Sequence, residues 1–409
     1  MQIRPKNQGI MATGVHMVMV AKRKKKILFV SGSNKPIPAT SGGAIEFLTQ
    51  KLLDFNKINE DIVDFYVLSS SSEYLDDPKN GLFYYEDSST ILYKSTIYLT
   101  KFMNRLNKHH QKYTQIKPSL LAKLKKLVDN YKFDEVIMLN YGIYCPKIRD
   151  FYSGKLSLYL HNDYLNYFSY EKSKIQRSVD RIISVSPFIN ERVKEVIEQS
   201  EKPILTIVEN GIDTTNYFPV TKKEKQSIRT RLEISTKKKV ILFSGRIDRS
   251  KGITYLVDAL EKLSNDQLLL LVVGSISNRK IEDILKRTSI DLKLVEHVSQ
   301  KEMPQYYQLS DICVIPSTVQ ESFCLVNMEA QACGVPVITT DAGALNNYFF
   351  GDENLKISCN PKNLSSNLSK AITYFFKNEQ LIKKIDYRSN AENYSLEKMY
   401  QSMICEVIK

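Results

Sequence analysis

The chain has 409 residues, of which 43% are hydrophobic and 25% are charged, an ordinary composition for a globular protein. The length suffices for two domains of about 150 residues or more, and the sequence contains no repeat period and no low-complexity run, which excludes a repeat or fibrous protein. The formal net charge of +13 suits an anionic ligand, an anionic membrane surface or nucleic acid, without choosing among them.

The cysteines and the N-terminus indicate the compartment. No CxxC pair occurs, so we expect reduced thiols at Cys145, Cys313, Cys324, Cys333, Cys359 and Cys405. Residues 1–23 are interpreted as an N-terminal extension and a candidate for disorder. Within it the apolar patch VHMVMV precedes KRKKK, the reverse of the order in a secretory signal, and no apolar run reaches about 18 residues. We therefore expect a cytoplasmic protein.

The first predicted elements form a βαβ unit. The strand KKKILFVSG is followed by the loop NKPIPATSGG, a helix from about Ala44 to Asn56, and the strand DIVDFYVLS. In such a unit the first loop lies at the carboxyl edge of a parallel sheet, where ligands bind. Gly42 and Gly43 would let a phosphate or a sugar approach the backbone, although an ordinary flexible turn has the same pattern.

A basic segment follows, at residues 88–128. It contains nine Lys or Arg, two His and no acidic residue. Read as the helices TIYLTKFMNRLNKHH and SLLAKLKKLVDNY, it could contact an anionic acceptor or the inner face of an anionic membrane, whereas the alternative is a solvated basic surface.

Four more strands are predicted in the first half, at DEVIMLN, KLSLYLHND, DRIISVS and PILTIVENG. His161 ends the second of them, at the carboxyl edge again. It could face the same cleft as the glycine loop, or it could be a structural histidine.

A second α/β series begins after the charged stretch TKKEKQSIRTRLEISTKKK. The strand and loop VILFSGRIDRSKG carry Gly245, Arg246, Arg249 and Lys251 ahead of the helix ITYLVDALEKL. Cations in a strand-to-helix loop beside a helix N-terminus predict an anion site, and the alternative is a solvated turn.

The stretch ESFCLVNMEAQACGVPVITT contains two carboxylates that need an explanation, Glu321 and Glu329. A helix is predicted from Leu325 to Cys333, so an anion could meet the free amides of Ser322, Phe323, Cys324 and Leu325. Glu329 lies roughly 6 Å further along the axis, which favours one carboxylate for each of two polyhydroxyl rings flanking a diphosphate. The alternative is a surface role for Glu329 and a favourable helix-dipole contact for Glu321.

Four features in order, SGGAIE, ENGIDTTNYFP, SGRIDRSKG and ESFCLVNME continuing into AQACGVPVIT, resemble the retaining glycosyltransferases of family four. That family has the GT-B fold, an α/β fold of two facing Rossmann-like domains with a cleft between them. The resemblance implies an acceptor domain at 24–215, a donor domain at 216–392 and a C-terminal helix at 393–409 that packs back on the first domain. LHNDYLNYF together with PATSGGAIE looks most like the spore-coat and cell-envelope branch.

The resemblance also implies residue roles. Arg246 and Lys251 would hold the donor diphosphate, with Gly42 and Gly43 approaching from the first domain. Glu321 would bind the transferred sugar, Glu329 would bind the ribose, and His161 would lie beside the reacting carbon. The loop residue Gly245 and the amides around Ser322, Phe323, Cys324 and Leu325 would complete the donor site.

The family commonly has glycine where this chain has Ser322 and Cys324, so we expect a tighter or differently shaped sugar pocket. No DxD pair stands in a suitable loop, so we expect no metal and no cofactor. The expected partners are a nucleotide-sugar donor, UDP-linked, and a saccharide, lipid-linked or protein-linked acceptor in a cell envelope or polysaccharide.

Two other classes of function stay open at the level of sequence. A nucleotide-sugar epimerase shares the GT-B architecture and would convert the donor without an acceptor. A basic nucleic-acid-binding protein would suit the charge, but no nucleic-acid-binding module is recognisable, so nucleic acid is not expected as a partner. A non-catalytic scaffold is disfavoured because the proposed donor contacts keep their residue types.

Overall fold

The structure is a computed structural model that describes residues 23–40, 42–59, 63–71, 73–86, 116–169, 171–197, 203–276, 278–296 and 298–409. The predicted extension, apart from residue 23, and the part of the basic segment at 88–115 lie outside the described residues. None of the helices in the described ranges combines the length and the apolarity that crossing a membrane requires.

The first half of the chain builds a sheet of seven parallel strands in the order β3-β2-β1-β4-β5-β6-β7. The chain order reverses between β1 and β4, which is where an α/β sheet of this kind opens a crevice. The strands are β1 Lys25–Ser31, β2 Val63–Ser70, β3 Leu82–Tyr85, β4 Glu135–Leu139, β5 Lys155–Leu160, β6 Arg181–Ser184 and β7 Ile204–Ile207.

The second half builds a separate sheet of six parallel strands in the order β10-β9-β8-β11-β12-β13. Its order reverses between β8 and β11. The strands are β8 Lys239–Ser244, β9 Leu268–Val273, β10 Leu292–Val295, β11 Ile312–Ile315, β12 Val337–Thr340 and β13 Lys356–Ile357. The predicted α/β architecture with two Rossmann-like sheets is confirmed.

Helices cover both sheets. In the first half they are α1 Ala44–Ile58, α2 Pro118–Tyr131, α3 Cys145–Arg149, α4 Lys172–Ser178 and α5 Pro187–Lys194. In the second half they are α6 Lys222–Arg231, α7 Ile253–Leu263, α8 Arg279–Arg287, α9 Met303–Gln308, α10 Leu325–Ala332, α11 Leu345–Tyr348, α12 Leu364–Ile382, α13 Tyr387–Glu392 and α14 Leu396–Ile408. The central strands are fully buried because helices pack on both faces, which is why they are continuous apolar runs such as Leu268–Val273.

Helix α2 corrects one interpretation of the basic segment. Its apolar side chains are buried in the core of the first half, at Leu120, Leu124, Leu127 and Val128. That face is therefore not available to a membrane. The basic side chains on the opposite face include Lys125, which is exposed and pairs with Asp129 at 3.4 Å.

The C-terminal helix α14 returns to the first half and packs on α1. The Tyr400 hydroxyl donates to the Asn56 side-chain oxygen at 3.1 Å, and Lys25 Nζ donates to the Ile408 carbonyl at 2.5 Å. The return runs beside the outgoing chain: the Ile212 amide donates to the Tyr394 carbonyl at 2.7 Å, and the Leu396 amide donates to the Ile212 carbonyl at 2.9 Å. Two connections therefore join the halves side by side.

Gly211 makes this close approach of the two connections sterically feasible. A Cβ atom at this position would lie 2.7 Å from the Leu396 Cα atom and 3.0 Å from its backbone nitrogen. Any larger residue at Gly211 would push the outgoing and returning segments apart.

Candidate functional site

A cleft of about 1320 Å³ opens at the carboxyl ends of the strands of both sheets. Its walls combine residues that follow β1, β4 and β5 in the first half with residues that follow β8, β9 and β11 in the second half. Parallel sheets bind ligands at this edge, and the volume suits a small organic ligand with several rings. The cleft brings together ten of the sequence-predicted site residues: His161, Gly245, Arg246, Lys251, Glu321, Ser322, Phe323, Cys324, Leu325 and Glu329.

Gly42 and Gly43 are not among the residues that line the cleft. The wall at this point is formed by the start of α1, at Ala44, Ile45 and Glu46. The chain therefore presents the first turn of a helix to the cleft, where the sequence suggested the glycine loop itself. A Cβ atom at Gly43 would lie 2.1 Å from the Glu46 Oε2 atom, so this glycine leaves room for the carboxylate of Glu46.

The loop after β8 presents two cations to the cleft. Asp248 organises it by accepting from the backbone amides of Ser250 at 2.9 Å and Lys251 at 3.1 Å, which fixes the turn Arg249–Lys251. Arg246 Nε donates to the Asp248 Oδ2 atom at 2.5 Å, and the Arg246 side chain is 66% exposed. Gly245 lies against Gly274, where a Cβ atom would be 1.8 Å from the Gly245 carbonyl oxygen, so this wall of the cleft is bare backbone.

Lys251 and Glu321 form an ion pair in the cleft. Lys251 Nζ donates to Glu321 Oε1 at 2.6 Å, and Ser317 Oγ donates to the same oxygen at 2.7 Å. The loop after β11 is held against the loop after β12, because the Ala344 amide donates to the Glu321 carbonyl at 2.7 Å. Both charged groups are thus fixed before any ligand is bound.

Cys324 stands immediately before α10 with φ +69°, in the left-handed region. This conformation turns the chain so that α10 begins with its N-terminus at the cleft. Burial raises the pKa of the Cys324 thiol to about 12, so the thiol is protonated at neutral pH. Ser322, two residues earlier, also lines the cleft. The ring of Phe323 is buried against Tyr348, with ring centroids 4.5 Å apart.

Glu329 lies inside the cleft, one turn into α10, and does not lie on the outer surface of the helix. The Tyr307 hydroxyl donates to Glu329 Oε2 at 2.5 Å. Burial raises the pKa of Glu329, and the hydrogen bond from Tyr307 opposes that rise. The carboxylate is therefore held in position by a neighbouring phenol and stands close to the start of the helix.

His161 faces the cleft from the end of β5. Its backbone amide donates to Asn140 Oδ1 at 3.1 Å, and its ring packs on Tyr159 with centroids 4.2 Å apart. The side chain is buried, and burial lowers its pKa to about 4, so the ring is neutral at pH 7. Neither ring nitrogen makes a hydrogen bond of normal geometry with the residues that the structure describes, and the Asn210 side chain beside the ring opposes part of the lowering of its pKa.

The polar residues that line the cleft without having been singled out from the sequence include Glu46, Lys117 and Asn210. Lys117 is buried, and its Nζ donates to Asn34 Oδ1 at 2.6 Å and to the Ser33 carbonyl at 3.1 Å. It belongs to the basic segment, where nothing in the pattern separates one lysine from its neighbours. Asn210 lies in ENGID, so its place in a recognised motif was the one signal available.

The described part of the chain contains no group of three or more His, Cys, Asp or Glu residues arranged to hold a metal ion. The positive charge at the cleft described above comes from basic side chains and from the N-terminus of α10. Arg246, Lys251 and the first turn of α10 all lie on the second half of the chain.

Comparison with known proteins agrees with this geometry. Residues 224–394 match the family model of glycosyl transferases group 1, and this range contains Arg246, Lys251, Glu321 and Glu329. The match covers the second half of the chain, and the two sheets with the cleft between them have the GT-B fold of solved glycosyltransferase structures.

Relatives extend the likeness over most of the chain. The Bacillus subtilis protein YtcC is 24% identical over 383 residues, which span 88% of this chain and 85% of that protein. Spore coat protein SA of Bacillus subtilis is 24% identical over 309 residues, 69% of this chain and 79% of that protein. The solved structure of Anabaena HepE in complex with UDP and glucose has a TM-score of 0.69 at 18% identity and covers 94% of this chain and 99% of that one.

Proposed function

We propose that the protein is a retaining, metal-independent hexosyltransferase of family four that uses a UDP-linked sugar as donor. The observation that carries this proposal is the Lys251–Glu321 pair, 2.6 Å apart, next to Arg246 and the N-terminus of α10. Cations and free helix amides suit a diphosphate, and a fixed carboxylate suits sugar hydroxyls. The proposed donor domain spans 216–392, and the proposed acceptor domain spans 24–215.

In the proposed donor complex, the diphosphate lies between the β8 loop and the start of α10. Arg246 and Lys251 bind its oxygens, together with amides of Phe323, Cys324 and Leu325, and the bare backbone at Gly245 admits it closely. Glu321 accepts from hydroxyls of the transferred sugar. Glu329 accepts from the ribose, since it stands further along the helix from the phosphate position.

Cleavage of the glycosidic bond develops negative charge on the leaving diphosphate. Arg246, Lys251 and the helix N-terminus stabilise that charge in place, and they need no reorganisation when the bond breaks. Neutral His161 approaches from the first half and offers an unpaired ring nitrogen to a hydroxyl near the reacting carbon. This assignment makes His161 a hydrogen-bonding group in the reaction, and not a cationic one.

Two comparisons support the substrate classes in this proposal. HepE, which shares the fold, was solved with UDP and glucose, which supports a uridine nucleotide as the leaving group. Spore coat protein SA is, by its name, a protein of a cell envelope, which supports an envelope acceptor and a place in the spore-coat branch.

Two substitutions test the donor site. In Lys251→Ala and Glu321→Gln, release of UDP from a panel of UDP-sugars should fall by at least about 10- to 100-fold, because each removes a charge-assisted hydrogen bond of about 1.5–3 kcal/mol. Lys262→Ala and Glu282→Gln are matched controls in exposed ion pairs on the outer surface. Undiminished turnover in Lys251→Ala or Glu321→Gln would contradict the site.

The same assay separates a transferase from an epimerase of the same fold. A transferase or its slow hydrolytic side reaction releases UDP, whereas an epimerase interconverts UDP-sugars in the absence of an acceptor. Chromatography of the nucleotide products after incubation with each UDP-sugar distinguishes the two. Conversion of one UDP-sugar into another would replace the proposed function.

A further inference from the structure

Three aromatic side chains are exposed on the turn that follows β5 and His161, and we call them the aromatic surface: Tyr164, Tyr167 and Phe168. Their exposed fractions are 43%, 68% and 51%. The rings of Tyr167 and Phe168 meet edge to face, with centroids 5.4 Å apart and planes at 89°. Aromatic side chains grouped on the surface of a protein mark binding sites more often than chance allows.

The turn that carries these rings is held by its own hydrogen bonds. The Asn166 amide donates to Ser169 Oγ at 2.7 Å, and the Phe168 amide donates to Asn166 Oδ1 at 2.9 Å. Ser169 Oγ donates to the Tyr164 carbonyl at 3.0 Å, and the Leu165 side chain is buried in the core below. A ligand therefore meets rings that are already in place, which reduces the entropy lost on binding.

The aromatic surface is continuous with the cleft. Tyr164 lines the cleft and contacts Tyr141, another lining residue, with ring centroids 5.9 Å apart. His161 precedes Tyr164 by one short turn and lines the same cleft. Tyr167 and Phe168 follow Tyr164 in the same turn, so the aromatic surface extends outward from the lining of the cleft.

The charges beside the aromatic surface are largely compensated. Asp163 pairs with Arg192 at 3.3 Å, and Glu171 pairs with Lys174 at 2.6 Å. Lys172 Nζ lies 4.6 Å from the centroid of the Tyr167 ring. An anionic membrane would be attracted by clustered, uncompensated cations, so these pairs favour an uncharged partner.

An uncharged partner that suits flat, partly polar rings is a sugar. A pyranose ring has an apolar face of C–H groups, which an aromatic face attracts through its negative quadrupole, and a rim of hydroxyls, which remains in water or meets polar groups. We propose that the aromatic surface is the acceptor subsite for a saccharide chain. Tyr164 contacts the sugar nearest the reaction, and Tyr167 with Phe168 contacts a sugar further along.

This inference rests on the proposed function and adds the class of acceptor, an oligosaccharide or polysaccharide chain of more than one sugar. It is tested by fluorescence, because the natural chain contains no tryptophan. In Tyr167→Trp the single indole reports directly on the aromatic surface. Phe350→Trp is the matched control, since Phe350 is exposed on the second half of the chain, 39% against 68% for Tyr167.

The full-length variants are titrated with cellohexaose, maltohexaose and chitohexaose, with the corresponding monosaccharides, and with vesicles of phosphatidylglycerol and phosphatidylcholine. We expect a saturable emission change of Tyr167→Trp with at least one hexasaccharide, and none of Phe350→Trp. Adding Phe168→Ala to Tyr167→Trp should weaken that binding by about fivefold. The corresponding monosaccharide should bind more weakly than its hexasaccharide.

Three results would overturn the inference: no response of Tyr167→Trp to any hexasaccharide up to its solubility limit, an equal response of Phe350→Trp, or a response to vesicles alone. UDP affinity of the unsubstituted protein, measured by calorimetry, tests the donor site separately. A protein that binds hexasaccharides but not UDP would contradict the proposed transferase and support the saccharide site. A protein that binds UDP but no saccharide would support the donor site and contradict the saccharide site.

Discussion

Cys324 holds a backbone conformation that an L-residue avoids. Its φ of +69° precedes α10 directly, so the turn that aims the helix N-terminus at the cleft depends on it. The sequence pointed to this position because the resembling family commonly has glycine there, and the positive φ supplies the physical reason for that glycine. The sequence could not predict the hydrogen bonds between side chains of the site. Lys251 and Ser317, for example, both donate to one oxygen of Glu321.

Relief of this strain is the first prediction. Cys324→Gly should raise the free energy of unfolding by about 0.5–1 kcal/mol, because left-handed backbone costs an L-residue about 1–2 kcal/mol and glycine has a smaller entropic cost of its own. Urea denaturation followed by circular dichroism measures the change. Cys333→Gly is the matched control, since Cys333 has a φ of −83° and should lose stability as glycine. Equal losses in both variants would contradict the prediction.

His161 gives the second prediction, on pH. Its pKa is lowered to about 4 by burial, whereas an unfolded histidine titrates near 6.5. Between these values the unfolded chain binds a proton that the folded protein excludes, so this group's contribution to stability is full above about pH 6.5 and is lost as the pH falls towards about 4, with a slope of up to about 1.4 kcal/mol per pH unit.

Urea denaturation of the wild type and of His161→Asn between pH 4 and pH 7 measures this contribution. The difference in unfolding free energy between the two proteins should shrink, or change sign, as the pH falls through the window. A difference that is constant with pH would show that His161 titrates normally in the folded protein.

At the scale of elements, the strands and their carboxyl-end loops were predictable from sequence, because parallel strands buried on both faces are continuous apolar runs. The ends of the helices were harder to predict from the sequence. Helix α5 ends at Lys194, although the pattern of apolar and charged residues continues beyond it. Ion pairs between elements escaped prediction altogether. Asp311 directly precedes β11 and pairs with three cations that are 72–86 positions away, Lys225 and Arg229 of α6 and Lys383 just after α12.

Asp311 ties α6 to the second sheet. Arg229 Nη2 lies 2.8 Å from Asp311 Oδ2, Lys225 Nζ lies 2.8 Å from Oδ1, and the Val240 amide donates to Oδ2 at 2.8 Å. Burial alone would raise the pKa of Asp311, but Lys225, Lys383 and Arg229 lower it well below its ordinary value. The carboxylate is therefore ionised throughout the neutral and mildly acidic range.

The third prediction is that Asp311→Asn destabilises the protein by about 3–5 kcal/mol, because it leaves buried Arg229 without its counter-charge. Thermal and urea unfolding of the variant measure this. Asp258→Asn removes an exposed partner of Lys262 and should cost no more than about 1 kcal/mol. A loss of similar size in the two variants would mean that the buried network contributes little.

At the scale of the whole molecule, resemblance of ordered motifs was enough to predict two facing Rossmann-like sheets, because each motif falls on a strand-to-helix loop and such loops share one edge of a sheet. The shape of the cleft wall was not predictable in the same way. The glycine loop pointed to Gly42 and Gly43, yet the first turn of α1 forms that wall, since the path of a loop depends on contacts distant in sequence.

The fourth prediction concerns α14, which caps the first half of the chain. Deleting residues 396–409 would expose the surface now covered by six buried side chains, Leu396, Met399, Tyr400, Met403, Ile404 and Val407. Burial of each large apolar side chain contributes about 1.5–3 kcal/mol to stability. The stability lost by the deletion is therefore comparable to the whole free energy of unfolding of a typical protein, about 5–15 kcal/mol. The truncated protein should be insoluble or unfolded by circular dichroism, whereas Glu397→Ala with Gln401→Ala, exposed on the same helix, should fold normally. A folded truncated protein would contradict this role.

The two connections between the halves lie side by side and share hydrogen bonds at Ile212, with Gly211 admitting the close approach. Two adjacent connections define a single hinge axis, which restricts sliding and twisting of one half against the other. The two halves should therefore turn about the Ile212 pairing, so that the arc they sweep is widest at the far lip of the cleft. Small rotations at Gly211 would then set the distance between His161 on one side and Lys251 on the other, and the timing of substrate entry and product exit would depend on the glycine that follows Asn210 in the cleft wall.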